Sequence, residues 1–271
     1  MKSRLRLYDS HLHLQDPRLD GIREGPGHGN DPSETDPPSE IVAQLANGTH
    51  PDDWPLLAAL KGDRIFRAYG VHPWRVDALP KNWDTALREY LSSGAASVGE
   101  IGLDRWVEPR NEDLQMKVFV QQLQIASELR LAPSIHCVRA WGMLVDCLKK
   151  ADLPKGFLVH GFAGSKEVLY QLLDLGGYVS FSAYGADPGR QRIRDAARAC
   201  PMDRLLAETD APGMVPPENV CRYRLSDAAG RMHHPWEIET AYDCLAEWKK
   251  MPVEELATKV EANFKRLFCR R

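Results

Sequence analysis

The chain has 271 residues, of which 43% are hydrophobic, and we expect residues 1–271 to form one domain with a single large core. Its formal net charge of −3 excludes a polycation that coats nucleic acid without specificity, so a polyanionic ligand needs a local basic patch or bound metal ions. The six scattered cysteines without a CxxC pair argue against a disulfide framework or a thiolate zinc site.

Apolar runs typical of β-strands recur along the chain, and amphipathic segments separate them. In chain order they are Leu5–Asp9, a weaker Ile41–Asn47, Ile65–Gly70, Ala95–Ile101, Ala132–His136, Phe157–His160, Tyr178–Phe181 and Leu205–Glu208. Strand-then-helix repeated about eight times favours either a parallel barrel or a doubly wound sheet. Polar residues end several strands along the whole chain, and a barrel gathers those ends on one face. We therefore predict an α/β fold, a TIM-type (β/α)8 barrel.

Several helices are predicted between these strands. Leu114, Val118, Ile125 and Leu129 fall on one face at helical spacing. Ser165 can cap a helix that Gly176 ends, and the last helix begins at Pro252 and runs through Leu267. Gly21–Ser39 is rich in Gly, Pro and acidic residues and is predicted to be an irregular loop, although a helix is expected between strands one and two.

The strongest local motif is Asp9-Ser10-His11-Leu12-His13, at the end of the first predicted strand. In an extended chain, residues two apart point to the same side, so Asp9, His11 and His13 share a face. Two imidazoles can hold one divalent ion, and Asp9 is placed to orient one of the imidazoles without binding the ion itself. A string this short also arises by chance or packs as ordinary core, so alone it favours neither interpretation.

Further polar residues follow other strands at matching positions. Glu100 lies in a run of small residues, where a buried carboxylate is costly unless it is paired or bound to a metal. His136, His160 and Asp210 follow three later strands. A single such histidine is more often a hydrogen-bonded structural residue. Four histidines and two carboxylates in equivalent places favour one shared site.

Six ligands exceed the needs of one tetrahedral ion, so the sequence predicts two divalent metal ions. Imidazole and carboxylate without thiolate suit Mg²⁺, Mn²⁺, Zn²⁺ or Fe²⁺, and the sequence does not choose among them. Glu100 is placed to bridge the two ions. Such a pair generates hydroxide at neutral pH, and Asp210 can serve as a ligand and as the proton acceptor from water. We therefore predict Asp210 and Glu100 as the catalytic residues.

Other residues are candidates for binding the substrate. His72, in Tyr69-Gly70-Val71-His72-Pro73-Trp74, is predicted to contact substrate or phosphate, with a structural role as the alternative. Arg139, with Arg222, Arg224 and Arg231, could form a local basic patch, or each could be an ordinary solvated arginine. Trp74 and Trp106 could stack on bases, although packing is the commoner use of tryptophan.

The motifs YDSHLHLQDPR, YGVHPW, VGEIGLD, SIHCVRAW, LVHGFAGS and LLAETDAP follow one another in this order. Together they resemble the TatD family of metal-dependent DNases within the amidohydrolase superfamily. The resemblance implies a TIM-type barrel and a divalent metal centre. It places the family's HxH pair on His11 and His13, the bridging glutamate on Glu100, the second-site histidines on His136 and His160, the catalytic aspartate on Asp210 and the GxHP histidine on His72.

We expect a metal-dependent hydrolase that cleaves phosphodiester bonds in DNA, an exonuclease of the 3'-5' type acting on single strands or strand ends. Arg139 and His72 would hold the scissile phosphate. The alternative is hydrolysis of a small phosphoester or amide, or of an aminoacyl-tRNA ester. A third hypothesis, an inactive metal-binding scaffold, ranks last because the ligand set is intact.

The sequence also predicts where in the cell the protein is located. Met1–Leu7 has no apolar run typical of a signal peptide, and no stretch reaches the length of a membrane span. We expect a cytoplasmic protein, nuclear as the alternative in a eukaryote, without a membrane partner. The oligomeric state is left open.

Overall fold

A computed structural model describes residues 4–21, 39–227 and 230–269. In this part of the chain, eight parallel strands pair in chain order and form a nearly closed barrel with helices between them. The strands are β1 (Leu5–Leu12), β2 (Ser39–Asn47), β3 (Ile65–Tyr69), β4 (Ser97–Asp104), β5 (Ala132–Val138), β6 (Phe157–Val159), β7 (Gly177–Phe181) and β8 (Leu205–Ala207). The predicted TIM-type fold is confirmed.

Side chains of β1 connect it to β8 and the residues that follow. Ser10 Oγ donates a hydrogen bond to the Ala207 carbonyl oxygen at 2.9 Å. The buried Asp9 carboxylate accepts from the backbone N–H of Thr209 at 3.0 Å and from its hydroxyl at 2.6 Å. Buried polar groups need such partners. These contacts therefore hold the first and last strands together and place the ends of both at one mouth.

The helices are α1 (Trp54–Ala59), α2 (Trp83–Ser92), α3 (Glu112–Leu129), α4 (Trp141–Leu148), α5 (Lys166–Asp174), α6 (Gln191–Ala199), α7 (Ile238–Lys249) and α8 (Val253–Phe268). Ser165 caps α5 as predicted, because its hydroxyl accepts from the N–H of Val168 at 3.4 Å. The apolar face predicted over 114–129 is buried mainly through Val118 and Ile125. Among the described helices, none is both long and apolar enough to cross a membrane.

The last two helices close the barrel on the outside of β1. Leu256, Val260 and Phe264 of α8 are fully buried, which is the pattern expected of an amphipathic helix on a sheet. In α7, the hydroxyl of Tyr242 accepts from the N–H of Tyr8 at 2.9 Å and lies 3.2 Å from the Tyr8 carbonyl oxygen. Hydrogen bonding therefore links the outer helix layer to the strand that carries the HxH pair.

Three segments differ from the predictions or lie beyond them. β4 begins two residues later and ends three residues later than the predicted Ala95–Ile101, so Glu100 lies within the strand. The sequence did not predict the antiparallel hairpin of β9 (Arg224–Asp227) and β10 (Gly230–His233) between β8 and α7. Most of the predicted loop Gly21–Ser39 lies outside the described residues, which resume at Ser39 as the first residue of β2.

Candidate metal centre

His11 and His13 lie side by side at the end of β1. Their rings meet edge to face, with centroids 5.2 Å apart, and His11 is fully buried. Asp9 shares their strand, but its carboxylate accepts from the backbone N–H of His11 at 3.2 Å and from Thr209. The expectation that Asp9 orients an imidazole is therefore wrong. Asp9 holds the backbone that carries the two histidines.

Glu100 is the centre of the site. Its carboxylate lies in β4, is nearly fully buried, and faces ring nitrogens of five histidines at 2.9–3.4 Å. Oε1 is 2.9 Å from His160 Nε2, 3.0 Å from His136 Nδ1 and 3.2 Å from His72 Nε2, whereas Oε2 is 3.3 Å from His13 Nε2 and 3.4 Å from His11 Nε2. The two oxygens thus face two different groups of histidines, as a bridging carboxylate requires.

Asp210 completes the side of the site that Glu100 Oε2 faces. Its Oδ1 is 3.3 Å from His13 Nε2 and 3.7 Å from His11 Nε2. The backbone N–H of Asp210 donates to the His11 carbonyl oxygen at 2.9 Å. Its φ of 57° is in the left-handed region, which aspartate tolerates better than most residues. The Asp210 carboxylate therefore lies next to both imidazoles of the HxH pair.

Among the described residues, three sets of donor atoms lie close enough together to hold a metal ion. Within each set, the candidate ligand atoms all lie within 4.8 Å of one another. The sets are His11, His13 and Asp210; His11, Glu100 and His160; and His72, Glu100 and His136. All six residues predicted as ligands, together with His72, therefore converge on one place.

The second nitrogen of each ring determines which nitrogen has a free lone pair. His13 Nδ1 lies 2.9 Å from the Asn47 carbonyl oxygen, which can only accept, so Nδ1 carries the hydrogen. His136 Nε2 lies 2.9 Å from Asp104 Oδ2 and carries the hydrogen for the same reason. In the neutral ring, the nitrogens left without a hydrogen, His13 Nε2 and His136 Nδ1, are the ones that face Glu100. This arrangement suits metal coordination.

His72 differs from the other histidines in this respect. Its Nδ1 accepts from the backbone N–H of Trp74 at 3.2 Å, so in the neutral ring Nε2 carries the hydrogen. Nε2 faces Glu100 Oε1 and is therefore a hydrogen-bond donor. Although distance alone would admit His72 as a metal ligand, a hydrogen-bond donor suits the contact with substrate or phosphate that the sequence predicts for this residue.

The electrostatics of the site favour bound cations. Burial alone would raise the pKa of Glu100, but the surrounding histidines, chiefly His72 and His160, hold it well below its usual range. Burial and the neighbouring His160 lower the pKa of His11 to about 3. His11 is therefore neutral, and its buried Nε2 has no hydrogen-bond partner in the described residues. An unpartnered imidazole nitrogen between two carboxylates fits a divalent metal ion.

The four arginines predicted to form a basic patch differ in their partners. Arg139 is exposed, and its guanidinium lies 3.8 Å from the centroid of the Trp106 ring. Arg222 pairs with Asp243 at 2.5 Å, and Arg224 and Arg231 both approach Glu218, at 3.1 and 3.7 Å. Two carboxylates therefore pair with these three arginines and offset two of the three charges, so the described residues show no strongly basic patch on the hairpin.

Sequence reasoning assigned no role to three residues that contact the histidines. Asp104 contacts His136, Ser134 Oγ lies 2.9 Å from His11 Nδ1, and Glu208 Oε1 lies 3.9 Å from His160 Nδ1. Glu208 is fully buried and accepts from Gly161 N–H and the Ser180 hydroxyl. Alternate residues of a strand point to the same face, and Asp104 lies four residues after Glu100 in β4. This spacing would have indicated Asp104 as a neighbour of the site.

Comparison with known proteins shows the family to which the chain belongs. The family described as TatD related DNase matches residues 8–269. The uncharacterized metal-dependent hydrolase YcfH of Escherichia coli K12 is 31% identical over 207 residues, which cover 76% of this chain and 74% of that protein. The 3'-5' ssDNA/RNA exonuclease TatD of Pantoea sp. At-9b is 30% identical over 203 residues, covering 73% and 76%.

A solved structure shows the same fold along the whole chain. The crystal structure of YjjV, a TatD homologue from E. coli K12, superposes with a TM-score of 0.83 at 23% identity, covering 98% of this chain and 99% of that one. With the family match over nearly all its residues and a convergent set of histidines and carboxylates, this chain belongs to the TatD family of metal-dependent hydrolases.

Proposed function

We propose that the protein is a nuclease that hydrolyses phosphodiester bonds of DNA at a centre of two divalent metal ions, as a 3'-5' exonuclease. The observation that carries the proposal is the position of Glu100, whose two carboxylate oxygens face two groups of histidines. Support for the substrate comes from the Pantoea relative, whose name describes an exonuclease on single-stranded DNA and RNA.

In this proposal the ligands divide between the two oxygens of Glu100. His11, His13 and Asp210 would hold one ion, and His136 and His160 would hold the other, with Glu100 shared. Bound ions of this kind lower the pKa of water and neutralise charge on the attacking and leaving oxygens. The donor set of imidazole and carboxylate suits Mg²⁺, Mn²⁺ or Zn²⁺.

The protein's own groups have distinct tasks around the scissile phosphate. Asp210 lies beside His13 with its carboxylate partly exposed to the mouth, where it can accept the proton of the attacking water. His72 Nε2–H donates a hydrogen bond, which suits a non-bridging phosphate oxygen once substrate displaces its contact with Glu100. Arg139, at the rim, can offset the charge of an adjacent phosphate.

The proposal is tested with end-labelled single-stranded DNA, incubated with the purified protein and Mg²⁺, Mn²⁺ or excess chelator. We expect a ladder that shortens from the 3' end, that requires metal, and that Glu100→Ala abolishes. Asp113→Ala removes an exposed carboxylate from α3 and serves as the matched control with full activity. Cleavage of a chromogenic small ester without cleavage of DNA would replace the nuclease proposal with the small-ester or aminoacyl-tRNA alternative.

A further inference from the structure

Two tryptophans are largely exposed beside the candidate centre. Trp74 follows β3 and is 56% exposed, and Trp106 follows β4 and is 59% exposed. The Trp74 ring lies 4.8 Å from the ring of His72 and 6.2 Å from that of His136, measured between centroids. Large aromatic side chains usually bury most of their surface. Two of them exposed at the mouth of one site therefore suggest a ligand that covers them.

One buried carboxylate fixes both tryptophans relative to the site. Asp104 Oδ2 accepts from Trp74 Nε1–H at 2.8 Å and from His136 Nε2–H at 2.9 Å, and Oδ1 accepts from the Trp106 backbone N–H at 2.6 Å. The polar edge of the Trp74 indole is thereby satisfied within the protein. What this residue offers to solvent is its apolar ring surface, held in a fixed position.

Arg139 adds positive charge to the same rim. It follows β5 directly, in a left-handed conformation with φ of 55°, and its guanidinium lies over one face of the Trp106 ring. Within the described residues no ion pair neutralises it, in contrast with the three arginines near the hairpin. The rim therefore combines two exposed aromatic surfaces with one unpaired cation.

We propose that Trp74, Trp106 and Arg139, here called the Trp–Arg rim, bind the unpaired bases of a nucleic-acid strand whose phosphate lies at the metal centre. Aromatic side chains stack on any base, and a cation next to them attracts the backbone. Bases inside a duplex do not present their faces, so the rim selects single strands. The inference rests on the proposed nuclease function and adds the residues that recognise its substrate.

Trp106 is the residue to change. Its side chain, unlike that of Trp74, makes no hydrogen bond to Asp104, and because it is exposed, its replacement should not disturb the fold. Binding is measured by fluorescence anisotropy with Mg²⁺ present, and every linkage of the probes is a phosphorothioate so that turnover is suppressed. The probes are a labelled oligothymidylate and an oligomer of the same length with tetrahydrofuran in place of every nucleoside. Tyr170→Leu, at a 50% exposed aromatic on α5 outside the barrel, is the matched control.

We expect Trp106→Leu to bind oligothymidylate roughly tenfold more weakly, in line with the stacking energy of a single base. Trp106→Phe restores most of the affinity, and neither variant changes binding of the base-free oligomer. Equal oligothymidylate binding by wild type and Trp106→Leu, an equal loss on both probes, or no binding by wild type would each overturn the inference. Cleavage of DNA by wild type with Mg²⁺ or Mn²⁺ shows separately whether the nuclease proposal survives.

Discussion

Asp104 Oδ2 and His136 Nε2 lie 2.9 Å apart, and this contact fixes which nitrogen of His136 faces Glu100. Burial alone would raise the pKa of Asp104, but hydrogen bonds from His136 and the Trp106 backbone N–H lower it to about 2. The Asp104 carboxylate is therefore charged and can only accept hydrogen bonds. It keeps the hydrogen on Nε2 and leaves Nδ1 for a metal ion.

Asp104→Asn should therefore weaken metal binding without removing a ligand. The amide can present its NH₂ group to Nε2, which would favour the wrong tautomer of His136. Loss of such a supporting partner typically costs about 10–100-fold in metal affinity. We expect this loss for one of two ions in a competition titration with a chromophoric chelator.

Asp113→Asn changes an exposed carboxylate of α3 in the same way and should bind both ions as wild type does. Equal metal affinities for Asp104→Asn and wild type would show that Asp104 does not position His136.

The sequence predicted the barrel and the convergence of the histidines, but it did not predict how each ring is held. Apolar runs in the sequence predict the strands. Histidines and carboxylates at the ends of several strands predict that these ends meet at one face of a barrel. The partner of a ring nitrogen depends on contacts between distant strands, such as the Ser134 hydroxyl beside His11. No local pattern encodes those contacts. The hairpin of β9 and β10 was missed because its short, charged strands lack an apolar alternation.

Position 102 has no room for a side chain, because β4 and β5 are in close contact there. Its φ is 151°, and a Cβ built there would overlap the backbone carbonyl oxygen of His136. Gly102→Ala should therefore push β5 away near His136, lowering both thermal stability and metal affinity. Differential scanning fluorimetry and a metal titration check this.

Gly142→Ala is the matched control, since nothing lies within 4 Å of a Cβ at this exposed position of α4. Replacing a helical glycine by alanine should raise stability by about 0.5–1 kcal/mol. If Gly102→Ala melts at or above the wild-type temperature, the close approach of the two strands is not as described.

Tyr242 links α7 to β1, and Tyr242→Phe should lower stability without changing the chemistry of the site. The substitution leaves the buried N–H of Tyr8 without its hydroxyl partner, which costs about 1–3 kcal/mol. In urea unfolding we expect a lower midpoint and an unchanged slope. Tyr170→Phe, at an exposed position, should leave the midpoint unchanged. A wild-type midpoint for Tyr242→Phe would mean that another group satisfies the Tyr8 N–H.

Metal binding should stabilise the fold, because the unfolded chain does not assemble the ligands from β1, β4, β5 and β6. At a hundredfold excess of free ion over Kd, a single site stabilises the native state by about 2.7 kcal/mol. For a chain of this size, that corresponds to a rise in Tm of roughly 5–10 °C. We expect this rise on adding Mn²⁺ or Zn²⁺ to chelator-treated protein.

In Glu100→Ala, the same addition should raise Tm far less, because both proposed ions lose their shared ligand. This readout does not depend on the substrate, so it tests the metal centre even if DNA is not cleaved. Asp113→Ala should retain the full rise. A metal-dependent rise in Glu100→Ala equal to that of wild type would place the bound ions elsewhere. The five histidine nitrogens around Glu100 would then need another explanation, as a hydrogen-bonded polar core.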